Sequence, residues 1–183
     1  LYRAESTVTI APDSVRRILT VPASDQKTYL LDLRLTSATG QPLSINSYWL
    51  SSSMDDLDWA KTTWYITPVK SFADFTRLDS MPKIDVREMM TLKTVGNDAI
   101  ATVTLKNETR LPAVFVHAEL LNYWGDDLEE FLPVIWSDNY VTLMPGETRV
   151  LTARFPAAQL QAARKAGHVV KLWITGTNVN PNE

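Results

Sequence analysis

The sequence predicts an all-β chain: an immunoglobulin-like β-sandwich over residues 84–178, preceded by part of a second β-sandwich and an aromatic-rich connector. Three observations carry this reading. Apolar and polar residues alternate with a period of two through most of the chain, as in ATVTL at 101–105. Turn-forming Gly, Pro, Asn and Asp punctuate those runs at short spacing. Only AAQLQAARKA at 157–166 reads as a helix, with Pro156 at its start and Gly167 just past its end.

Residues 1–53 read as the closing strands of the first sandwich. In 5–11, Val8 and Ile10 share a face, and Pro12-Asp13 makes a turn into a strand at 14–21. Residues 28–36 alternate most clearly, with Tyr29, Leu31, Leu33 and Leu35 opposite Asp32 and Arg34. A turn around Gly40 and Pro42 leads to a fourth strand at 43–50. Four strands are about half of a seven-stranded sandwich. A half-sandwich leaves an apolar face in water at about 25 cal/mol per Å². It is therefore expected to lean on the connector, to pair with another copy, or to need residues upstream. A small complete sheet is the alternative.

Residues 54–83 read as an ordered connector. The stretch from Tyr48 to Pro82 holds Trp49, Trp59 and Trp64, three of the six tryptophans, with Tyr48, Tyr65, Phe72 and Phe75. It is too aromatic for a solvated linker and too irregular for one element, so its rings are expected to pack on both sides.

From Ile84 a second set of strands begins. Strands 85–95 and 98–107 flank a turn at Gly96-Asn97-Asp98. In the strand at 113–122, Val114, Val116, Ala118 and Leu120 face one way. Trp124-Gly125-Asp126-Asp127 reads as a loop, and 131–136 and 140–144 as short strands broken at Ser137-Asp138-Asn139. After the Pro145-Gly146 turn come a strand at 147–155, with Leu151, Ala153 and Phe155 inward, the helix, and a last strand at 168–176. Residues 179–183 read as a polar tail. Seven strands over about 100 residues suffice for a sandwich. Without a disulfide pin, core packing must hold it.

Bulk composition narrows the function. A net charge of −3 and a pI near 5.4 give no basic surface for nucleic acid or an anionic membrane. No window approaches the ~18 apolar residues needed to cross a bilayer. With no cysteine, disulfides, thiol nucleophiles and zinc–thiolate sites are excluded. The chain begins with Leu, so it is expected to be a piece of something longer.

Motifs for chemistry are sparse. Glycoside hydrolysis needs two carboxylates about 5–9 Å apart across a sugar. Asp55-Asp56, Asp126-Asp127 and Glu129-Glu130 are adjacent acid pairs in loop-like or loop-edge sequence, where acids are ordinarily just solvated. His117 shares a strand face with Glu119 and is expected to look outward. His168 follows Gly167 at a helix end, where positive charge favours the C-terminus. Neither has a partner at triad or zinc spacing, and no nucleotide-binding loop is present. No catalytic, metal or cofactor residue is assigned. One polar–aromatic cluster stands out, Trp136-Ser137-Asp138-Asn139-Tyr140. Trp136, Asp138 and Asn139 could line a sugar site, since flat rings cover sugar faces and Asp or Asn bond hydroxyls. The favoured reading is plainer: Asp138 and Asn139 make a turn while Trp136 and Tyr140 pack locally.

The run YWLSSSMDDLDWAKTTWYITPVKSFADFTRLDSMP resembles the junction before the last immunoglobulin-like domain of glycoside hydrolase family 2 exo-β-D-glucosaminidases. Those enzymes share the five-domain plan of family 2 β-mannosidases. The resemblance continues through LPAVFVHAELL and LPVIWSDNYVTLMPGETRVLTARF and covers about residues 43–176. It implies a retaining exo-glycosidase parent acting on β-linked glucosamine or mannose. Its two catalytic glutamates would sit on an upstream TIM barrel, and no residue here matches them. The implied partners are the barrel and sandwich domains of the same parent chain. The resemblance favours a periplasmic or secreted bacterial parent. Two roles stay open: an inert module that braces the barrel, or a carbohydrate-binding module that grips polysaccharide through exposed aromatics. An adhesin-type sandwich array shares the fold, and the connector argues against it.

Overall fold

The computed structural model describes residues 2–182. It falls into two units, Leu1–Phe75 and Thr76–Glu183. The span read as a connector, 54–83, is shared between them.

The first unit is built on one hairpin. Strand β1 (Thr28–Thr36) pairs antiparallel with β2 (Pro42–Ser51), from Thr28 opposite Ser51 to Leu35 opposite Ser44. Gly40 takes a left-handed φ of 79° in the connecting turn, a conformation that costs glycine nothing. Two short strands, β3 (Asp56–Leu57) and β4 (Val69–Ser71), form a second small sheet. Asp55 accepts the Ala73 N–H at 2.7 Å, and Ser51 Oγ accepts the Asp74 N–H at 3.2 Å.

Two expectations fail in this unit. Residues 5–11 and 14–21 form no strand, although the turn at Pro12-Asp13 is present and Ser14 Oγ donates to Ala11 C=O. Alternation encodes a strand only when a neighbouring strand supplies ladder partners. Here every described residue from 2 to 20 except Val8 is exposed. The connector rings are not packed either. Trp59, Trp64, Tyr65 and Phe72 are exposed, Trp64 at 93%. Trp64 meets Tyr65 edge-on, with ring centres 4.7 Å apart. The unit buries no apolar side chain among its described residues.

The second unit is a sandwich of two sheets. Strand β5 (Arg87–Val95) pairs with β6 (Asp98–Lys106) through a two-residue turn. Gly96 holds the positive φ that such a turn requires at its first position. β6 pairs with β11 (Thr148–Pro156), and β11 with β9 (Ile135–Trp136), giving the sheet order β5-β6-β11-β9. The second sheet is centred on β7 (Ala113–Trp124). β12 (Val169–Thr175) lies along one edge of β7, while β10 (Val141–Leu143) and β8 (Asp127–Glu130) share the other. Within the expected loop at 124–127, Gly125 and Asp126 turn the overlong β7 back on itself into β8, making eight strands among the described residues of this unit rather than seven.

The alternation expected for β6, β7 and β11 is the alternation seen. Val103, Leu105, Leu151 and Phe155 of one sheet meet Val116, Leu120, Leu143 and Ile174 of the other in one core. Each contributes about 1.5–3 kcal/mol by leaving water. Helix α1 (Ala157–Lys165) carries the chain from β11 to β12 and adds Leu160 and Ala163 to that core. It closes as a Schellman motif: Gly167 N–H donates to Arg164 C=O and His168 N–H to Ala163 C=O.

The expected polar tail is folded. Asn178 and Val179 are buried, and Val179 bridges to Ile84. Asn178 Oδ1 accepts the Val114 N–H at 2.9 Å, and its Nδ2 donates to Pro112 C=O at 3.0 Å. Asn182 Oδ1 accepts the Ile174 N–H and its Nδ2 donates to Leu172 C=O, so one amide occupies the edge of β12 like a strand residue. Asn180 reaches Asp85. The asparagines stitch the chain end onto the sandwich.

Candidate functional site

The segment Ile135–Val141 carries the chain from one sheet to the other. Trp136 is the last residue of β9, opposite Ala153 of β11, and its half-buried ring packs against the core. Ser137 N–H donates to Thr152 C=O, and Ser137 Oγ accepts the Thr152 N–H. Asp138 caps the Asn139 N–H at 2.9 Å and stands exposed, 4.0 Å from Arg149. Asn139 Oδ1 accepts the Ala118 N–H and its Nδ2 donates to Ala118 C=O, both at 2.9 Å. Its amide thus mimics a ladder pair beside β7. Of the three residues read as sugar-site candidates, Trp136 turns inward, Asn139 is spent on the backbone, and Asp138 alone stays outward. The structure does not bring the three onto one surface.

Another group does meet there. Asn139 takes the place of a strand residue, and Tyr140 after it has a left-handed φ of 54° before Val141 enters the ladder. Its ring projects out, 59% exposed, and lies parallel to the His117 imidazole with centres 4.2 Å apart and 10° between planes. His117 and Phe115 sit two residues apart on β7 and so share its outer face. Phe115 also has a left-handed φ, 49°. Opposite it the β10–β7 register slips: Val141 faces Val116, but Leu143 faces Ala113. Two β7 residues oppose one there, which is a β-bulge, a device that re-aims a side chain. Phe115, His117, Tyr140 and Thr175–Thr177 line a recess of about 390 Å³. His117 Nδ1 lies 3.8 Å from Glu119 Oε2, and with Tyr140 stacked on it the imidazole expected to face solvent is half-buried. Sequence reading missed Phe115. Its signal was the outward i, i+2 spacing with His117, but the bulge that turns it was invisible.

The acid pairs form no catalytic constellation. Asp55 caps Ala73, and Asp56 lies 3.8 Å from Lys70. Glu129 and Glu130 are successive residues of β8, so their side chains leave opposite faces of the strand and cannot confront each other across a sugar. They border a groove of about 480 Å³ with Asn122, Gln159 and His168. His168 is at the helix end as expected, but its ring stacks on Trp124 at 4.6 Å and its Nδ1 meets Asn122 Oδ1 at 3.2 Å. Two carboxyls are held below their usual range, Glu5 by a hydrogen bond and the charge of Arg3, and Glu108 by the same two effects of Lys106. That is the wrong direction for a general acid, and both are exposed. Among the described residues no group of three His, Asp or Glu is placed to hold a metal. No helix there is long and apolar enough to cross a membrane.

Residues 64–179 match the family model described as the exo-β-D-glucosaminidase Ig-fold domain. The chain belongs to this family. Its relatives include the exo-β-D-glucosaminidase of Streptomyces avermitilis, 40% identical over 179 residues, which are 96% of this chain and 18% of that protein. The Amycolatopsis orientalis enzyme of the same name is 38% identical over 169 residues, 89% of this chain and 16% of that one. The solved structure of the A. orientalis exo-chitosanase superposes with a TM-score of 0.80 at 36% identity, covering 90% of this chain and 19% of that one. The chain therefore spans less than a fifth of these relatives. As a family Ig-fold domain it is an accessory region, and the all-β immunoglobulin-like class expected from the alternation is the one observed.

Proposed function

We propose that the chain is the non-catalytic β-sandwich region of a larger exo-β-D-glucosaminidase of glycoside hydrolase family 2. It would brace a catalytic barrel carried elsewhere in the same parent chain. The observation behind this is the match over 64–179 to an Ig-fold domain, in a chain that spans only 16–19% of those relatives. A five-domain plan shared with β-mannosidases is part of the proposal. So is the division into a partial sandwich at 1–53, a connector at 54–83 and a complete sandwich at 84–178. Any contribution to a substrate rim falls to Asp138, since Trp136 packs against the core and the Asn139 amide is bonded to the Ala118 backbone.

The β1–β2 hairpin supports a partner for the first unit. Leu33, Leu35, Leu43 and Tyr48 are exposed on it, and Trp49 Nε1 is buried with no hydrogen-bond partner. Such a surface is ordinarily covered. We assign its cover to strands of the parent, with a second copy of this chain as the substitute when they are missing. Sedimentation across a concentration series reads that substitution directly. A second reading, a carbohydrate-binding module, is favoured by the exposed rings of Trp59, Trp64 and Tyr65. The main proposal is tested with p-nitrophenyl β-D-glucosaminide and β-D-mannoside. The purified chain is expected to release no p-nitrophenol, and turnover above buffer would end the non-catalytic reading.

A further inference from the structure

We propose that Asn107-Glu108-Thr109 is a glycan acceptor of the unfolded chain alone, so that N-glycosylation at Asn107 and closure of the sandwich exclude one another. The triplet is the only Asn-x-Ser/Thr pattern in the sequence, and that pattern marks an acceptor in a chain that passes a glycosylating compartment. Acceptors ordinarily sit on exposed loops. Asn107 instead lies just past β6 with its side chain fully buried. Its Nδ2 donates to Leu111 C=O at 2.7 Å and to Leu143 C=O at 3.0 Å, which uses both amide hydrogens. Its Oδ1 accepts the Thr109 N–H at 3.0 Å and the Thr109 hydroxyl at 2.8 Å. The backbone is committed too, with the N–H on Glu147 C=O and the C=O taking the Gly146 N–H. In the folded chain the triplet is therefore an Asx turn. The amide and hydroxyl that an acceptor presents are spent on each other and on β10.

The chemistry of the transfer shows why the two states conflict. A bond forms from Asn107 Nδ2 to the anomeric carbon of an oligosaccharide. The bond from that carbon to a lipid pyrophosphate breaks, the pyrophosphate leaves with the electron pair, and one Nδ2 proton is lost. The product nitrogen keeps a single hydrogen, so either Leu111 C=O or Leu143 C=O loses its donor. Space is lacking as well. Asn107 and Leu143 are both fully buried, in an interior packed as densely as an organic crystal. A pyranose on Nδ2 must therefore draw the side chain out of the sandwich. That strands the Leu143 C=O in the interior and frees the Thr109 N–H and Leu111 C=O from their partner. Unpaired buried groups of this kind remove a large fraction of a domain's small net stability. The inference stands on residues 107–111 and their partners, and is independent of what the parent hydrolyses.

The test is glycan transfer in vitro by a solubilised oligosaccharyltransferase supplied with lipid-linked oligosaccharide, read by mass spectrometry. The acceptors are the folded 183-residue chain, its Leu160→Ala variant and a peptide of residues 103–113. The peptide is expected to be modified at Asn107. The folded chain is expected to react at least about a hundredfold more slowly, because only its small unfolded fraction can accept. Leu160 lies in α1, which follows the Asp98 end of β6, whereas Asn107 lies just past the other end. Emptying that core position enlarges the unfolded fraction without touching the contacts of Asn107. Transfer to Leu160→Ala is therefore expected to be about thirtyfold faster or more than to the parent chain. The glycosylated chain is expected to show no cooperative melting transition. Transfer to the folded chain at the peptide's rate would overturn the proposal, as would an unchanged rate in Leu160→Ala. So would a glycosylated chain that melts at the unmodified Tm, or a peptide that accepts nothing. None of these results bears on chromogenic turnover, so the accessory-domain reading stands or falls separately.

Discussion

Asn178→Ala is the most incisive test of how the sandwich is held. Asn178 is fully buried and lies beyond the last strand. Its Oδ1 takes the Val114 N–H at 2.9 Å, at the entry to β7, and its Nδ2 serves Pro112 C=O at 3.0 Å and Pro82 C=O at 3.4 Å. Truncation strands two well-bonded backbone groups, the buried Val114 N–H and the half-buried Pro112 C=O. Each costs about 1–3 kcal/mol when its partner is removed, so the sum centres near 4 kcal/mol, less whatever an entering water recovers. A loss of about 3 kcal/mol is expected. For a domain of this size each kcal/mol moves the midpoint by about 4 °C, so the Tm falls by about 12 °C. Asn178→Asp keeps the acceptor for Val114 but sets a carboxylate against two carbonyls, and should cost at least as much. Asn180→Ala is the control: its exposed amide bonds only the Asp85 carboxylate, and a change below about 0.5 kcal/mol is expected. Urea unfolding followed by tryptophan fluorescence gives all three. If Asn178→Ala loses no more than Asn180→Ala, the amide is not the clasp described here.

Three further substitutions probe other joints. Gly176→Ala places a Cβ 2.9 Å from Val114 O and from Val179 Cγ2, so it should cost about 2 kcal/mol by thermal melt; Gly146→Ala meets open space and only a left-handed φ of 76°, so about 1 kcal/mol is expected. Glu147→Ala takes from half-buried Arg149 its closest carboxylate and from Met144 N–H its acceptor, and should lose about 3 kcal/mol in urea; a neutral result would mean the pair is solvated. Asn139→Ala removes both bonds to the Ala118 backbone, and a loss of about 2 kcal/mol is expected together with faster hydrogen exchange at the Ala118 amide.

The second unit was legible because its information is local. Alternation placed Val103, Leu105, Val116, Leu120 and Leu151 inward, and all are buried. Pro145-Gly146 and Gly167 signalled a turn and a helix end that depend only on neighbouring dihedrals. The first unit misled for the converse reason. Residues 5–11 and 14–21 have strand pattern, but a ladder is a property of two segments, and the pattern names only one. Likewise β8 was hidden because its four residues are all exposed, so no apolar period marks them.

Residue chemistry marks Trp136, Asp138 and Asn139 as sugar-site candidates beside the favoured reading of a turn with local packing, and neither reading names the backbone partner of Asn139. Asn139 has the right amide, but its position two residues before β10 commits both ends of that amide to Ala118. The next residue, Tyr140, has the left-handed φ that presents its ring, and the reading tested here is that the Asn139 amide pair sets it. A residue can therefore matter to a surface by being consumed beneath it. Asn139→Ala should then act at a distance: once Ala118 is released, the backbone of Tyr140 can relax, and its ring need no longer lie over His117. The His117 ring-proton shifts report this directly, since an aromatic face 4.2 Å away shifts them strongly. If those shifts are unchanged in a folded Asn139→Ala chain, the left-handed Tyr140 is set by something other than the amide pair, and the chain of cause from Asn139 to the recess is broken.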